Sequence, residues 1–212
     1  SSGLFAQQKM VAITIDDLPF VRMGSMNNAF LGLRTINLLN ALVKNNAPAT
    51  GFVNMNKVYV DGNLDSVRYY LLKIWLLKGF DLGNHTFSHP DYNHVSYSEF
   101  VKDIEKNEPL LNQIVKEFNK SMVYFRHPYL HRGNSKAKAD SLATYLADHN
   151  YIEAPVTIDN AEWIFAAAYD SVIKTNIDEQ RIAVGKEYIS YMESKLRYYE
   201  GRPPRYYDYE DG

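Results

Sequence analysis

Some features that would identify common classes of protein are missing from this sequence of 212 residues. It contains no cysteine, which excludes disulfide frameworks, zinc–thiolate sites and thiol nucleophiles. No apolar run approaches the roughly eighteen residues that a membrane span requires. The formal net charge is −2, which argues against nucleic acid or an anionic membrane as a partner. Any metal site in this chain must therefore use histidine and carboxylate ligands.

The remaining composition is that of a globular protein, with 46% apolar and 23% charged residues. We predict one domain over residues 10–200, followed by an irregular tail at 201–212 that lacks any core-facing periodicity. Residues 1–9, SSGLFAQQK, have two interpretations: the end of an export signal cleaved after Ala6, or a cloning remnant. The first predicts a periplasmic or extracellular protein.

Short apolar runs alternate with amphipathic stretches along the chain, which is typical of an α/β protein with a parallel sheet or barrel. The predicted strands cover residues 10–16, 49–55, 80–85, 122–129 and 152–159. The predicted helices cover residues 29–45, 64–78, 97–119, 136–149, 161–171 and 179–200.

Polar residues that could bind a ligand or take part in catalysis follow four of these strands. Because the carboxyl ends of parallel strands gather ligands, we expect these residues to share one rim of the fold. They are Asp16 and Asp17 after the first strand, His85 and His89 after the third, Arg126 and Tyr129 after the fourth, and Asp159, Glu162 and Trp163 after the fifth.

The histidine pair has both a metal-binding and a structural interpretation. His85 and His89 are four residues apart, a spacing that two unrelated histidines on one helical turn would also show. Two imidazoles and one carboxylate form a known ligand set for catalytic zinc. Asp16 and Asp17 are adjacent on a strand and point to opposite sides, so one can bind metal while the other acts as a base. Arg126 could be a surface cation on a loop, but its place at a strand end near two aspartates favours a partner that holds one carboxylate ionised and oriented.

Four motifs occur in order between residues 10 and 163, and together they resemble a known family. They are TIDDLP at 14–19, HTFSH at 85–89, RHPY at 126–129 and DNAEW at 159–163. The chain resembles the polysaccharide deacetylases of carbohydrate esterase family four, the NodB-homology domain. The resemblance implies a distorted (β/α) barrel and a reaction that removes acetyl groups from a glycan.

The resemblance also implies a role for each matched residue. Asp16 is expected to be the general base and Arg126 the residue that orients it. The backbone N–H of Tyr129 is expected to contribute to the oxyanion hole, and Trp163 to form a wall of the acetyl pocket. The expected ligands of one divalent metal, zinc or another transition metal, are Asp17, His85 and His89.

The sequence departs from the family pattern twice. Glu162, which is also expected to be a catalytic residue, replaces the usual aspartate before Trp163 and lengthens the acid by one methylene. No residue after 164 matches the family's fifth motif, whose histidine protonates the leaving amine. The chain is therefore interpreted as a barrel without its last strands, whose exposed strand edges could support self-association. His131 is the nearest substitute acid, with contact to substrate or to a catalytic group as the alternative.

The predicted function is metal-dependent hydrolysis of acetyl groups, most simply the N-acetyl groups of GlcNAc-type sugars in a polysaccharide or oligosaccharide. The alternative is a carbohydrate-binding relative that retains the metal but has lost the acid. Chitin oligomers, peptidoglycan, acetylxylan and exopolysaccharides all fit the motifs equally well.

Overall fold

Six helices and seven strands make up the computed structural model, which describes residues 11–21, 27–173, 175, 177–200 and 202. The strands are β1 (Ile13–Leu18), β2 (Ala49–Val53), β3 (Tyr59–Val60), β4 (Asn63–Leu64), β5 (Asp81–Asn84), β6 (Tyr124–Phe125) and β7 (Ile152–Glu153). The helices are α1 (Asn28–Lys44), α2 (Ser66–Leu77), α3 (Tyr97–Lys116), α4 (Lys136–Asp148), α5 (Glu162–Ile173) and α6 (Asp178–Glu200).

Five of the strands form one parallel sheet in the order β1-β2-β5-β6-β7. Every connection between neighbouring strands therefore crosses over through helical or irregular segments, as parallel pairing requires. Within the described part of the chain, β1 and β7 lie at the two edges of this sheet. The predicted α/β class is confirmed, and the carboxyl ends of all five strands face the same rim.

The helices begin where their capping residues predict. The side chain of Ser96 accepts a hydrogen bond from the Glu99 N–H, and the Glu99 carboxylate accepts one from the Ser96 N–H, which completes a capping box at the start of α3. Asp65 caps α2 in a similar way, by accepting from the backbone N–H of Arg68 at 2.8 Å. These caps fix the first residues of α2 and α3, the two helices that pack against β5.

Two apolar clusters hold the sheet between its helices. The larger cluster packs α1 and α2 against β1 and β2, with Leu39, Leu72 and Trp75 among its buried members. The smaller cluster packs α3 and α4 against β6, around Phe100 and Phe125. Burial on this scale is the main stabilising contribution of the fold.

The described residues from Pro155 onward form a second compact unit, separate from those up to Ala154. It consists of α5 and α6, which pack through Phe165 against Tyr188 and Tyr191 at ring-centroid distances of 5.4 Å and 5.1 Å. Neither helix buries a residue completely.

The last two predicted strands are shorter than the apolar pattern indicated. The fourth, predicted over 122–129, pairs only at Tyr124–Phe125, because Pro128 begins a 3₁₀ turn and Tyr129 and Leu130 adopt positive φ. The fifth, predicted over 152–159, ends at Glu153, two residues before Pro155. Proline supplies no N–H to a ladder, so both strands stop close to one.

A small antiparallel hairpin, β3–β4, was not predicted, although its sequence contains a signal for it. Asp61 and Gly62 form its tip with φ values of 49° and 78°. An Asp-Gly pair with both φ angles positive is the preferred two-residue hairpin turn. Each of these strands has only two residues, too few for an alternating apolar pattern to predict them.

No helix in the described part of the chain is long and apolar enough to cross a membrane. The predictions for residues 1–9 and 201–212 concern segments outside the described residues, apart from Arg202.

A buried network of side-chain amides ties the carboxyl ends of β2 and β5 to helix α3. The Asn107 amide donates to the Val53 carbonyl at 2.9 Å and to Asn84 Oδ1 at 2.8 Å, and Asn107 Oδ1 accepts from the Met55 N–H at 2.8 Å. Asn84 in turn donates to the Tyr151 hydroxyl at 2.7 Å. Buried polar groups are tolerated when they are satisfied in this way.

We predict that Asn107→Ala lowers the free energy of unfolding by about 3 kcal/mol, because it leaves several buried backbone and amide groups without partners. Urea denaturation followed by circular dichroism measures the effect. Gln113→Ala, on an exposed position of the same helix, should change stability by less than about 0.5 kcal/mol. Equal effects of the two substitutions would contradict this interpretation.

Candidate metal centre

Three predicted ligands meet at the rim of the sheet. Asp17 lies near the end of β1, His85 directly follows β5, and His89 lies in the loop beyond it. One ligand atom from each residue lies within 4.8 Å of the others. Parallel pairing of β1, β2 and β5 brings these residues together from positions more than sixty apart in the sequence.

His85 is buried, with 1% of its surface exposed, and its orientation is set by the backbone. Its Nδ1 lies 2.8 Å from the carbonyl oxygen of Arg126. Since a carbonyl can only accept, Nδ1 carries the proton and Nε2 is the nitrogen suited to a metal. Burial, reinforced by the nearby His89, lowers the pKa of His85 to about 3. The imidazole is therefore neutral at physiological pH, which is the form that ligates metal.

The loop that carries His89 is irregular and is not a helical turn. Thr86 and His89 adopt left-handed conformations, with φ values of 64° and 62°. The His89 N–H donates to Thr86 Oγ1 at 3.1 Å, and the Ser88 N–H donates to Asp103 at 2.8 Å. These contacts place the two imidazole rings 4.8 Å apart, edge to face.

Asp17 faces both a histidine and a lysine. Its Oδ1 lies 3.8 Å from His89 Nε2 and accepts a hydrogen bond from Lys57 Nζ at 2.7 Å. Burial alone would raise the pKa of Asp17, but the Lys57 ammonium and the nearby imidazoles lower it below its ordinary value. Asp17 is thus a carboxylate, with the charge that a divalent cation requires.

This donor set is chemically suited to a divalent metal. It offers two imidazole nitrogens and one carboxylate oxygen, and burial lowers the pKa of both His85 and His89. Three protein ligands of these types leave coordination positions for water and substrate, as in catalytic zinc sites. Such a set also suits other first-row transition metals.

Asp16 lies beside Asp17 in the chain but has a different partner. Its Oδ2 accepts a hydrogen bond from Arg126 Nη1 at 3.2 Å. Arg126 is 2% exposed and is held by two further bonds, to Thr14 Oγ1 at 3.1 Å and to the Ala154 carbonyl at 2.7 Å. A fixed guanidinium orients a carboxylate and keeps it ionised.

Two carboxylate–histidine pairs flank Tyr129. His127 Nε2 lies 2.9 Å from Glu153, and His131 Nδ1 lies 2.7 Å from Asp91. Tyr129 itself adopts a φ of 58°, and its ring lies against His89 at a centroid distance of 4.6 Å. The segment that carries the Tyr129 amide is therefore anchored on both sides, next to the ligand cluster.

Glu162 and Trp163, which were predicted to follow the fifth strand directly, lie in helix α5. Glu162 begins α5 and Trp163 follows it, with 67% of the Trp163 surface exposed. Both belong to the second unit, whereas Asp17, His85 and His89 belong to the first. The end of β7 supplies Glu153 instead, so the expected roles of Glu162 and Trp163 stay predictions.

The structure also contains site residues that motif analysis did not identify. Lys57 contacts Asp17, a proposed ligand. Asp91, which lies two residues after His89 in the sequence, pairs with His131. The Asn54 side chain donates to the carbonyls of His85 and Thr86 at 2.6 Å and 3.1 Å. An asparagine directly after an apolar strand was the available signal for Asn54, and the sequence carried none for Lys57.

Several solved structures share the fold of this chain. A peptidoglycan N-acetylglucosamine deacetylase, Bc1960, is 22% identical with a TM-score of 0.54, and the match covers 74% of this chain and 60% of that one. The peptidoglycan deacetylase PdaC from Bacillus subtilis is 23% identical with a TM-score of 0.51, covering 85% of this chain and 70% of that one.

A third match, a mutant of a CE4 family pseudoenzyme with restored enzymatic activity, is 20% identical with a TM-score of 0.53. The wild-type form of that pseudoenzyme comes from Bacillus anthracis. The match covers 74% of this chain and 48% of the mutant's, so this chain spans about half the length of that structure. Together these structures establish the fold of a carbohydrate esterase family four deacetylase.

The sequence profile described as Polysaccharide deacetylase matches residues 6–147, about two thirds of the chain. The chain therefore belongs to the polysaccharide deacetylase family, and the resemblance inferred from its motifs is confirmed. No curated protein sequence matches it.

We predict that Asp17→Asn and His89→Ala each weaken the binding of Zn²⁺ or Co²⁺ more than the roughly 10- to 100-fold typical of residues that only orient ligands. Isothermal titration calorimetry on the refolded, chelator-treated protein measures the affinity and the stoichiometry. His149→Ala is the control, because His149 stacks on Tyr145 at 4.0 Å, away from the cluster. Unchanged affinity in the Asp17 and His89 variants would place the metal elsewhere.

Proposed function

We propose that this chain is a metal-dependent deacetylase that hydrolyses the N-acetyl groups of GlcNAc-type sugars in a polysaccharide or oligosaccharide. The observation that carries this proposal is that a possible metal site and a possible general base lie at the same rim of the sheet. Asp17, His85 and His89 form a cluster that could hold a metal, and the neighbouring Asp16 is held by the buried Arg126. Family membership favours this reaction over other metal-dependent hydrolyses.

The residues that would hold the metal are Asp17, His85 and His89, with zinc as the proposed ion. When bound, a divalent ion of this kind supplies Lewis acidity, which polarises a carbonyl and lowers the pKa of a water molecule. The protein contributes the charge and the orientation of the ligands: Asp17 is ionised, and the Arg126 carbonyl holds the ring of His85.

Asp16 is the proposed general base. Its carboxylate would accept the proton of the attacking water, while Arg126 holds the accepting group in place. The backbone N–H of Tyr129 is the proposed donor to the oxyanion that forms on the acetyl group. The anchored, left-handed conformation of Tyr129 supports this role, because a preorganised donor needs no reorientation during the reaction.

His131 is the proposed donor of a proton to the leaving amine. Its Nδ1 pairs with Asp91, so the opposite nitrogen, Nε2, is the one available for proton transfer. A carboxylate that fixes the tautomer of a histidine in this way is a recurrent device in general acid–base catalysis. The tilted contact between the His131 and Tyr129 rings, at 5.8 Å, keeps the imidazole beside the proposed oxyanion donor.

We expect the purified chain, loaded with Zn²⁺ or Co²⁺, to release acetate from GlcNAc oligomers or peptidoglycan fragments, and a chelator to abolish the release. Asp16→Asn should lower kcat by about 10²- to 10⁴-fold while the metal affinity is retained. Asp140→Asn is the matched control, since Asp140 forms an exposed pair with Lys136 on α4. Acetate release is quantified by an enzyme-coupled assay.

Metal bound at the cluster without any acetate release would refute this proposal. It would favour the alternative function, a carbohydrate-binding relative that retains the metal. Metal binding and acetate release must both be measured, because a pseudoenzyme with this fold exists.

We predict that His131→Gln lowers kcat by about a hundredfold and leaves the metal affinity unchanged, because the variant cannot protonate the leaving amine. His94→Gln is the matched control, since His94 pairs with the same carboxylate, Asp91, at 2.8 Å but is 80% exposed. Comparison of kcat for the two variants tests the assignment. Equal kcat values for wild type and His131→Gln would exclude His131 as the acid.

A further inference from the structure

A lysine ammonium contacts the carboxylate of the proposed metal site. Lys57 Nζ lies 2.7 Å from Asp17 Oδ1 and donates a second hydrogen bond to the Asp17 carbonyl at 3.2 Å. The same Oδ1 is the oxygen nearest to His89 Nε2, at 3.8 Å. The ammonium is thus bonded to the side of the carboxylate that faces the histidine.

The fold holds Lys57 in this position. Its side chain is 17% exposed, whereas the surface lysine of the Lys136–Asp140 pair is 68% exposed. Lys57 belongs to a 3₁₀ turn, Met55–Val58, whose first N–H donates to the buried Asn107. The Lys57 carbonyl accepts a further bond from Arg68 at 3.3 Å. The contact with Asp17 is therefore built into the β2–β3 connection.

The charges around the cluster make this contact consequential. An imidazole ligates a metal in its neutral form, so Asp17 is the only negative charge of the ligand set. Lys57 neutralises that charge, just as Arg126 neutralises Asp16. Divalent cations bind most tightly where negative charge is in excess, so an ammonium bonded to the only carboxylate of the ligand set weakens the attraction of the site for such a cation.

We propose that Lys57 is an internal competitor of the metal ion, which lowers the affinity of the Asp17–His85–His89 site for divalent cations. The ammonium uses the carboxylate oxygen that faces the histidines, and its positive charge repels a second cation. This inference rests on the proposed metal-binding role of the cluster. It adds that the affinity of the site is set by a fourth residue that is not a ligand.

We expect Lys57→Met, which retains the length of the aliphatic stem but removes the charge, to bind Zn²⁺ and Co²⁺ about 10- to 100-fold more tightly than wild type. Lys57→Arg retains the charge and should stay close to wild type. Competition with a chromophoric chelator measures the dissociation constants directly, without substrate.

Lys120→Met is the matched control. Lys120 forms a comparable pair with Asp81, with Nζ 2.6 Å from Oδ1 and a side-chain exposure of 27%, at the start of β5. Its removal should leave the metal affinity unchanged. Lys57→Gln is measured alongside Lys57→Met, and the same tightening is expected of it.

Equal or weaker metal binding by both Lys57→Met and Lys57→Gln, with circular dichroism spectra like those of wild type, would overturn the inference. The failure of the proposed function is distinguishable from this outcome. If Asp17→Asn binds metal as well as wild type does, the cluster is not the metal site; if Asp17→Asn loses the metal but the Lys57 variants do not bind it more tightly, only the competitor role is wrong.

Discussion

The candidate site depends on the hydrogen-bonded amides of Asn54, Asn84 and Asn107, all of which are completely buried. They connect the carboxyl ends of β2 and β5 to α3, and they hold the backbone on both sides of His85. Regular strand pairing ends at this level, so the backbone groups of the ligand loop need other partners. The asparagines supply them. The loop that carries the candidate ligands is therefore held by side-chain hydrogen bonds although it contains left-handed residues and no secondary structure.

The two adjacent acids of the site, Asp16 and Asp17, have different charged partners. Asp16 pairs with a buried guanidinium, and Asp17 pairs with an ammonium and faces two histidines. The pairing of β1 is irregular between Ile15 and Leu18, where Asp17 adopts a φ of 65°, and the two carboxylates reach different partners there. One acid can thus serve as a base while its neighbour serves as a ligand, although they share a peptide bond. Each carboxylate has its own cation in a partly buried setting, and the Lys57 ammonium helps to lower the pKa of Asp17 below its ordinary value.

Much of this arrangement was predictable because it depends on local patterns. The alternation of apolar runs with amphipathic stretches indicated the helices and the parallel sheet, and four ordered motifs indicated the family. The predictions were wrong where local chemistry overrode the apolar pattern. Proline shortened the fourth and fifth strands. The HxxxH spacing, for which no helix was predicted, lies in an irregular loop with positive φ at Thr86 and His89. Spacing alone cannot distinguish a helical turn from a loop that places two rings at the same distance.

By itself, the sequence determined the fold class, the family and the residues able to act as ligands, since these depend on residue type and order along the chain. Only the tertiary structure decided which residues meet. It placed Lys57 on Asp17, Asp91 on His131, and Glu153 rather than Asp159 at the end of the fifth strand. The physical reason is that parallel strands join residues far apart in the chain, so the neighbours of a site residue come from crossovers whose geometry no local pattern records.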